Sequence, residues 1–228
     1  MAHPHAHAPH ELTEPGAEHE PPVPGRREQR LELTAVLLLA LAALLTAWSG
    51  YQAALWSGEQ SQRYSQASTT RIHSQREATQ AGQLRIGDLL LFNGWLNARD
   101  NGRPRLAAVY ERRFRPEFVP AYRAWLAQHP FTNPHAAPSP LFMPQYRLAG
   151  SDRAAALDHK ADDLYAEGTR AKTQDDDYIL STVFFAAVLF FAGVSLRLDW
   201  RPLRVAVLAM AGVMLFGGGI FVLTLPAA

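Results

Sequence analysis

Asp158, His159, Asp162 and Asp163 stand at helical spacing, with Glu167 one turn further on. Side chains three and four apart share a helix face, so His159, Asp162 and Asp163 could together hold one divalent metal ion. The competing reading is a charged, solvated helix face, which needs no cofactor. His3, His5 and His7 alternate with Pro4 and Ala6 and could bind a transition metal through neutral imidazoles. Arg112, Arg113 and Arg115 could grip an anion or lipid headgroups, or pair with acidic residues elsewhere in the chain. The chain has no cysteine, which removes disulfides, thiolate zinc sites, iron–sulfur clusters and cysteine nucleophiles. It also has no Gly-x-Ser-x-Gly, no phosphate loop, no His-Glu-x-x-His and no dinucleotide fingerprint. No catalytic or cofactor-binding residue is expected, and the chain reads as a non-enzyme.

The elements that position these residues follow from charge and hydropathy. Lys and Arg number 22 and Asp and Glu 21, so the net charge of +1 gives no reason to expect nucleic acid. Residues 1–30 carry five of the nine histidines and many prolines, and are expected to form a disordered tail for want of apolar surface to bury. Three stretches then lack any charge: 33–58, 178–196 and 205–228. Runs of 18 or more such residues predict membrane spans, because only a helix satisfies its own backbone in lipid. We place the spans at 31–56, 178–196 and 205–225, with Trp48, Tyr51, Trp56, Tyr178 and Trp200 at the interfaces. The rival reading of the first run is a signal peptide. Against it, the charged start lies unusually deep in the chain, and the cleavage region would be the bulky Ala47-Trp48-Ser49.

Arginine sets the orientation. Arg26, Arg27 and Arg30 precede the first span, and Arg197, Arg201 and Arg204 fill the turn 197–204 between the second and third. The positive-inside rule puts both groups in the cytoplasm, and so puts residues 57–177 and the C-terminus on the opposite side.

Residues 57–177 read as helical at both ends. No proline interrupts 52–83, and Ser151 is a good N-cap for a helix from Asp152 into the second span. Two antiparallel stalks, 56–82 and 152–177, are expected to carry a cap built from 83–150. Within the cap, Leu84 to Leu96 predict a buried helix ending near Asn101-Gly102. Leu106 to Leu126 predict a second, interrupted at Pro116 and Pro120. The proline-rich strap 130–146 should pack Phe131, Leu141, Phe142, Met143 and Tyr146 back onto it. Residues 56–150 hold 12 Arg against 6 acids, whereas 151–177 hold 4 basic residues against 8 acidic ones, so the two arms should attract.

Small residues recur along the first span and its extension. Ser49, Ala53, Ser57 and Ser61 follow at intervals of four, flanked by Gly50, Ala54 and Gly58. Such a row is a helix-packing face, either against the second span of the same chain or between copies.

The stretch Arg113-Phe114-Arg115-Pro116-Glu117-Phe118-Val119-Pro120-Ala121-Tyr122-Arg123-Ala124-Trp125-Leu126-Ala127 carries a resemblance, continued by Pro130-Phe131-Thr132-Asn133-Pro134 and Phe142-Met143-Pro144-Gln145-Tyr146. Over residues 30–225 the chain resembles a group of uncharacterised bacterial membrane proteins with three spans and a proline-rich cap. The resemblance implies a bacterial inner-membrane location and this architecture, with no activity to carry onto any residue. The fold expected is an all-α membrane protein: three transmembrane helices, two of them extended into an antiparallel extracytoplasmic hairpin with a small helical cap. The expected role is a non-enzymatic interaction or assembly module. The partners are the lipid bilayer and a second copy or another envelope protein. The competing classes are an oligomeric channel subunit and a membrane-anchored metal-dependent enzyme.

Overall fold

A computed structural model describes residues 25–228, so the calls on His3, His5, His7 and the tail before Gly25 lie outside the described residues. Among them there is no strand. The order is α1 (Arg26–Asp100), α2 (Pro104–Glu111), α3 (Val119–Leu126), a single 3₁₀ turn (Pro140–Phe142), α4 (Ala149–Ser195) and α5 (Arg201–Thr224). Three of these helices, α1, α4 and α5, are long and apolar enough to cross a membrane. The described residues divide into two compact units, one of 25–45 with 184–218 and one of 46–183 with 219–228.

In the first unit the helix α1 begins at Arg26, inside the segment expected to be tail. The Gly25 carbonyl accepts the N–H groups of Glu28 and Gln29, and Glu28 suits the positive end of the helix dipole. Ala42, Val188 and Ala211 are fully buried where the three helices meet, with Leu38, Leu189, Phe191, Met214 and Leu215 packed around them. Small residues at the centre let the backbones approach, so dispersion contacts accumulate around them. Two arginines beside the turn face acids on α1: Arg201 meets Glu28 at 2.6 Å, and Arg204 lies 3.9 Å from Glu32. The Arg201 guanidinium holds the Glu28 carboxyl below the usual carboxylate range.

The second unit is built on a pairing of α1 with α4. The contacts step along the two helices in opposite directions. Arg63 meets Glu167 at 2.7 Å, Arg71 meets Asp162 at 2.6 Å and Asp158 at 3.2 Å, and Arg153 meets Glu77 at 2.9 Å. Between them the Ser74 hydroxyl donates to the Ala154 carbonyl at 2.8 Å. Exposed ion pairs contribute little energy each. They do fix which turn of α1 faces which turn of α4.

The buried seam shows its own period. On α1 it runs through Ala53, Ala67, Ser74, Ala81, Asp88 and Trp95, each step being seven residues or a multiple of it. On α4 it runs through Ala154, Ala161 and Gly168, then shifts to Ala171 and Tyr178. A seven-residue repeat keeps one stripe against a partner with slight left-handed supercoiling. Small side chains on both stripes bring the helices close: a Cβ on Gly168 would lie 2.7 Å from the Tyr64 ring. The row at intervals of four advances about 40° per step and therefore leaves the seam. Ser49 and Ala53 are buried and Ser57 half-buried, whereas Gly50, Ala54, Gly58 and Ser61 are exposed.

Several boundaries differ from the sequence expectation. α1 runs 75 residues without a break, so the helix expected from Leu84 is its last part and not a separate element. It stops where Gly102, at φ +67°, donates to the Arg99 carbonyl while Arg103 donates to that of Ala98. Pro120 lies in the first turn of α3 and starts that helix instead of interrupting one, because its missing N–H would be unpaired there anyway. α4 begins at Ala149, which puts Ser151 inside its first turn and not at the cap. The tight turn between α4 and α5 spans only residues 196–200.

Candidate functional site

The most elaborately built part of the chain is an aromatic lobe within the second unit. Phe92 and Trp95 of α1 point into a cluster with Phe114, Phe118, and Tyr122 and Trp125 of α3, all buried. The rings meet mostly edge to face, as quadrupoles prefer: Phe92 with Trp125 at 5.1 Å, Trp95 with Tyr122 at 5.1 Å, Phe114 with Tyr122 at 4.9 Å. The strap 130–146 closes over this core by polar ties as well as apolar ones. The Trp125 indole N–H donates to the Ala137 carbonyl at 2.6 Å, and the Ala137 N–H donates to Gln128 Oε1 at 2.8 Å. Met143 is buried and Leu141 and Tyr146 pack against the cluster, while Phe142 is exposed, against expectation. Phe131 is half exposed and carries the Arg99 guanidinium 4.6 Å above its ring.

Beneath the cluster lies a carboxylate with almost no exposure. Asp88 is 1% exposed, yet both oxygens are occupied. Arg115 reaches it with a two-pronged grip, Nε to Oδ1 at 3.0 Å and Nη2 to Oδ2 at 2.8 Å. The Tyr146 hydroxyl donates to Oδ2 at 3.0 Å. The planar guanidinium fork matches the carboxylate, and three donors repay much of the desolvation that a buried charge costs. The group therefore clamps: it ties α1, the segment before α3 and the end of the strap to one point. Burial first, and the Asp88 charge after it, push the Tyr146 hydroxyl up to about 12 from its ordinary 10.0.

That shift fixes a sign. The hydroxyl binds its proton more tightly in the folded lobe, so its stabilising contribution is full below pH 10 and is lost as pH rises through about 12. Tyr146→Phe is expected to remove about 1.5 kcal/mol at neutral pH, the lower range for a hydrogen bond to a charged group. It should also abolish that residue's part of the alkaline loss. Tyrosinate absorbance and unfolding at several pH values would show it; an unchanged alkaline profile would contradict the assignment.

On the lobe's surface, Glu111, Arg112 and Arg123 surround a recess of about 310 Å³ floored by Ala108, Phe114, Val119 and Tyr122. Its apolar floor and charged rim are the usual anatomy of a contact surface. Of the arginines singled out from the sequence, Arg112 lines this recess, Arg113 is exposed, and Arg115 turns inward to Asp88. The group thus does not act as one anion grip.

The metal candidates do not gather either. Asp158 and Asp162 are both drawn to Arg71, whose guanidinium supplies the cation they need, and His159 and Asp163 are exposed. Among the described residues no three His, Asp or Glu side chains stand close enough to share a metal ion. Asp88 and Tyr146 were not foreseen as partners, although the sequence held a signal. Asp88 is a lone carboxylate within the apolar stretch from Leu84 to Leu96, in the seven-residue phase of Ala67, Ser74 and Ala81. No protein-family model, curated protein or solved structure matches the chain.

Proposed function

We propose that the chain is an integral inner-membrane protein whose extracytoplasmic helical domain is a non-enzymatic interaction and assembly module. The observation that carries the membrane reading is apolar surface without cover. Only 11%, 33% and 22% of the apolar windows of α1, α4 and α5 are buried within the chain. Water would make that exposure costly, and hydrocarbon does not. On this reading residues 178–196 and 205–225 span the bilayer with 31–56. The arginine-bearing ends face the cytoplasm, and α1 with α4 form an antiparallel stalk outside. The aromatic lobe caps that stalk, with Phe92 about 50 Å along α1 from the interfacial Trp56. A rigid cap with a charged-rim recess is suited to presenting one surface to another envelope protein.

Orientation is tested by single cysteines, since the chain has none of its own. Ser65→Cys is expected to react with an impermeant thiol reagent in intact cells, and Asp199→Cys only after lysis; the opposite pattern overturns the topology. The interaction role is tested by a photo-crosslinking side chain at Arg112. A discrete crosslinked protein is expected, and crosslinks to lipid alone would count against it. A second reading, an oligomeric channel, draws on the exposed row Gly50, Ala54, Gly58 and Ser61, which could pack between copies. A monomer by mass in mild detergent removes it.

A further inference from the structure

We propose that a cavity at the foot of the α1–α4 pair holds a phosphate–ammonium zwitterion, the headgroup chemistry of an aminophospholipid. The cavity, about 320 Å³, is walled by Trp56, Glu59 and Arg63 of α1 and by Glu167, Arg170 and Gln174 of α4. Each helix presents these residues three, four or seven apart, hence on one face. Arg63 is already spent between Glu59 at 2.6 Å and Glu167 at 2.7 Å. Arg170 has no ion-pair partner among the described residues and supplies the open positive charge. One turn along, Gln174 Oε1 is buried with no hydrogen-bond donor. A guanidinium seeks an anion, and a buried carbonyl seeks an N–H. Neighbouring positions on one face lie about 5–6 Å apart, a gap that an ethanolamine spacer bridges between its phosphate and its ammonium. Two carboxylates and two guanidiniums make the wall neutral, which suits a ligand of no net charge. A choline headgroup has no N–H to offer Gln174.

The level of the cavity rests on the membrane reading above. Gln174 and Arg170 lie one and two turns before Tyr178, where the uncharged run begins. The Trp56 indole is anchored there, donating to the Pro226 carbonyl at 3.2 Å, and Tyr178 donates to the same carbonyl at 3.3 Å. Tryptophan and tyrosine at this depth mark the headgroup zone.

The full chain, reconstituted with equal phosphatidylethanolamine, phosphatidylcholine and phosphatidylglycerol, would be stripped of lipid stepwise and weighed by native mass spectrometry. Phosphatidylethanolamine is expected to be retained about tenfold over phosphatidylcholine, the worth of one hydrogen bond to a charged group. Arg170→Ala should lower the retention of both zwitterionic lipids, and Gln174→Leu should remove the preference. Gln174→Glu, which keeps an acceptor, and Arg76→Ala, higher on α1, should retain it, all at wild-type helicity. Tighter uptake of soluble phosphoethanolamine than of the lipid would assign the same chemistry to a free phosphate ester. Equal retention of the two zwitterionic lipids, or a preference that survives Gln174→Leu, overturns the proposal. Alkaline carbonate separates the levels: a chain it releases from membranes sinks the membrane reading, and an embedded chain without headgroup preference sinks this inference alone.

Discussion

Asp88→Ala will lower the stability of the aromatic lobe by about 3–5 kcal/mol, the range for breaking a buried ion pair from one side. The loss is large because three donors are stranded together. Arg115 keeps a side chain only 24% exposed, and the Tyr146 hydroxyl loses its acceptor as well. Removing one partner of such a pair costs more than removing both, so the double change Asp88→Leu with Arg115→Met should recover much of the loss, even though Arg115 keeps Glu117 at 3.3 Å in the single variant. Denaturant unfolding followed by near-ultraviolet circular dichroism would report on the lobe's tryptophans, while the far-ultraviolet signal follows the long helices. A loss below about 1 kcal/mol would show that the clamp does not hold the lobe together.

Trp125→Ala is the second large effect, again about 3–5 kcal/mol, the usual cost of removing a buried aromatic side chain. Trp125 is 3% exposed and meets Phe92 at 5.1 Å, Phe131 at 5.8 Å and Trp95 at 6.2 Å. It alone also bonds the strap through the Ala137 carbonyl among the ring contacts of the core. Its removal should therefore do two things: open a cavity, and free the strap. Limited proteolysis is expected to cut between residues 127 and 139 in the variant well before the wild type. Trp125→Phe keeps most of the packing and should lose only about 1 kcal/mol, through the missing N–H. If the strap in Trp125→Ala stays as resistant as before, Gln128 and the prolines hold it unaided.

Much of this fold was legible because hydropathy and helix chemistry are local. Three uncharged runs became long helices, and α1 ended at Asp100, close to the expected end near Asn101-Gly102. Attraction between the arms was legible too, since an excess of arginine on one and of carboxylate on the other leads directly to pairs such as Arg71 with Asp162. What failed was period and partner. Counting small residues in fours selected Ser49, Ala53, Ser57 and Ser61 with the flanking Gly50, Ala54 and Gly58, and of these Ser49 and Ala53 are buried. Over a long pairing only the seven-residue set through Ala67, Ser74 and Ala81 stays in contact. The clamp was hidden for another reason. Asp88, Arg115 and Tyr146 are separated by 27 and 58 positions, and nothing local in any of them names the others. Pro120 was read as a breaker, whereas it lies in the first turn of α3, as Pro104 does in α2.

The seven-residue seam also governs how this part of the chain can change in size. One inserted residue between Ala53 and Asp88 would rotate the rest of the α1 stripe by about 100° away from its partner stripe on α4. A whole heptad inserted in α1 preserves the phase and adds roughly 10 Å, but only if α4 gains a heptad at the matching level. Insertions and deletions are thus tolerated in matched pairs of seven. The distance from the lobe to the foot of the helices is a quantity that evolution, or an engineer, can alter only in steps.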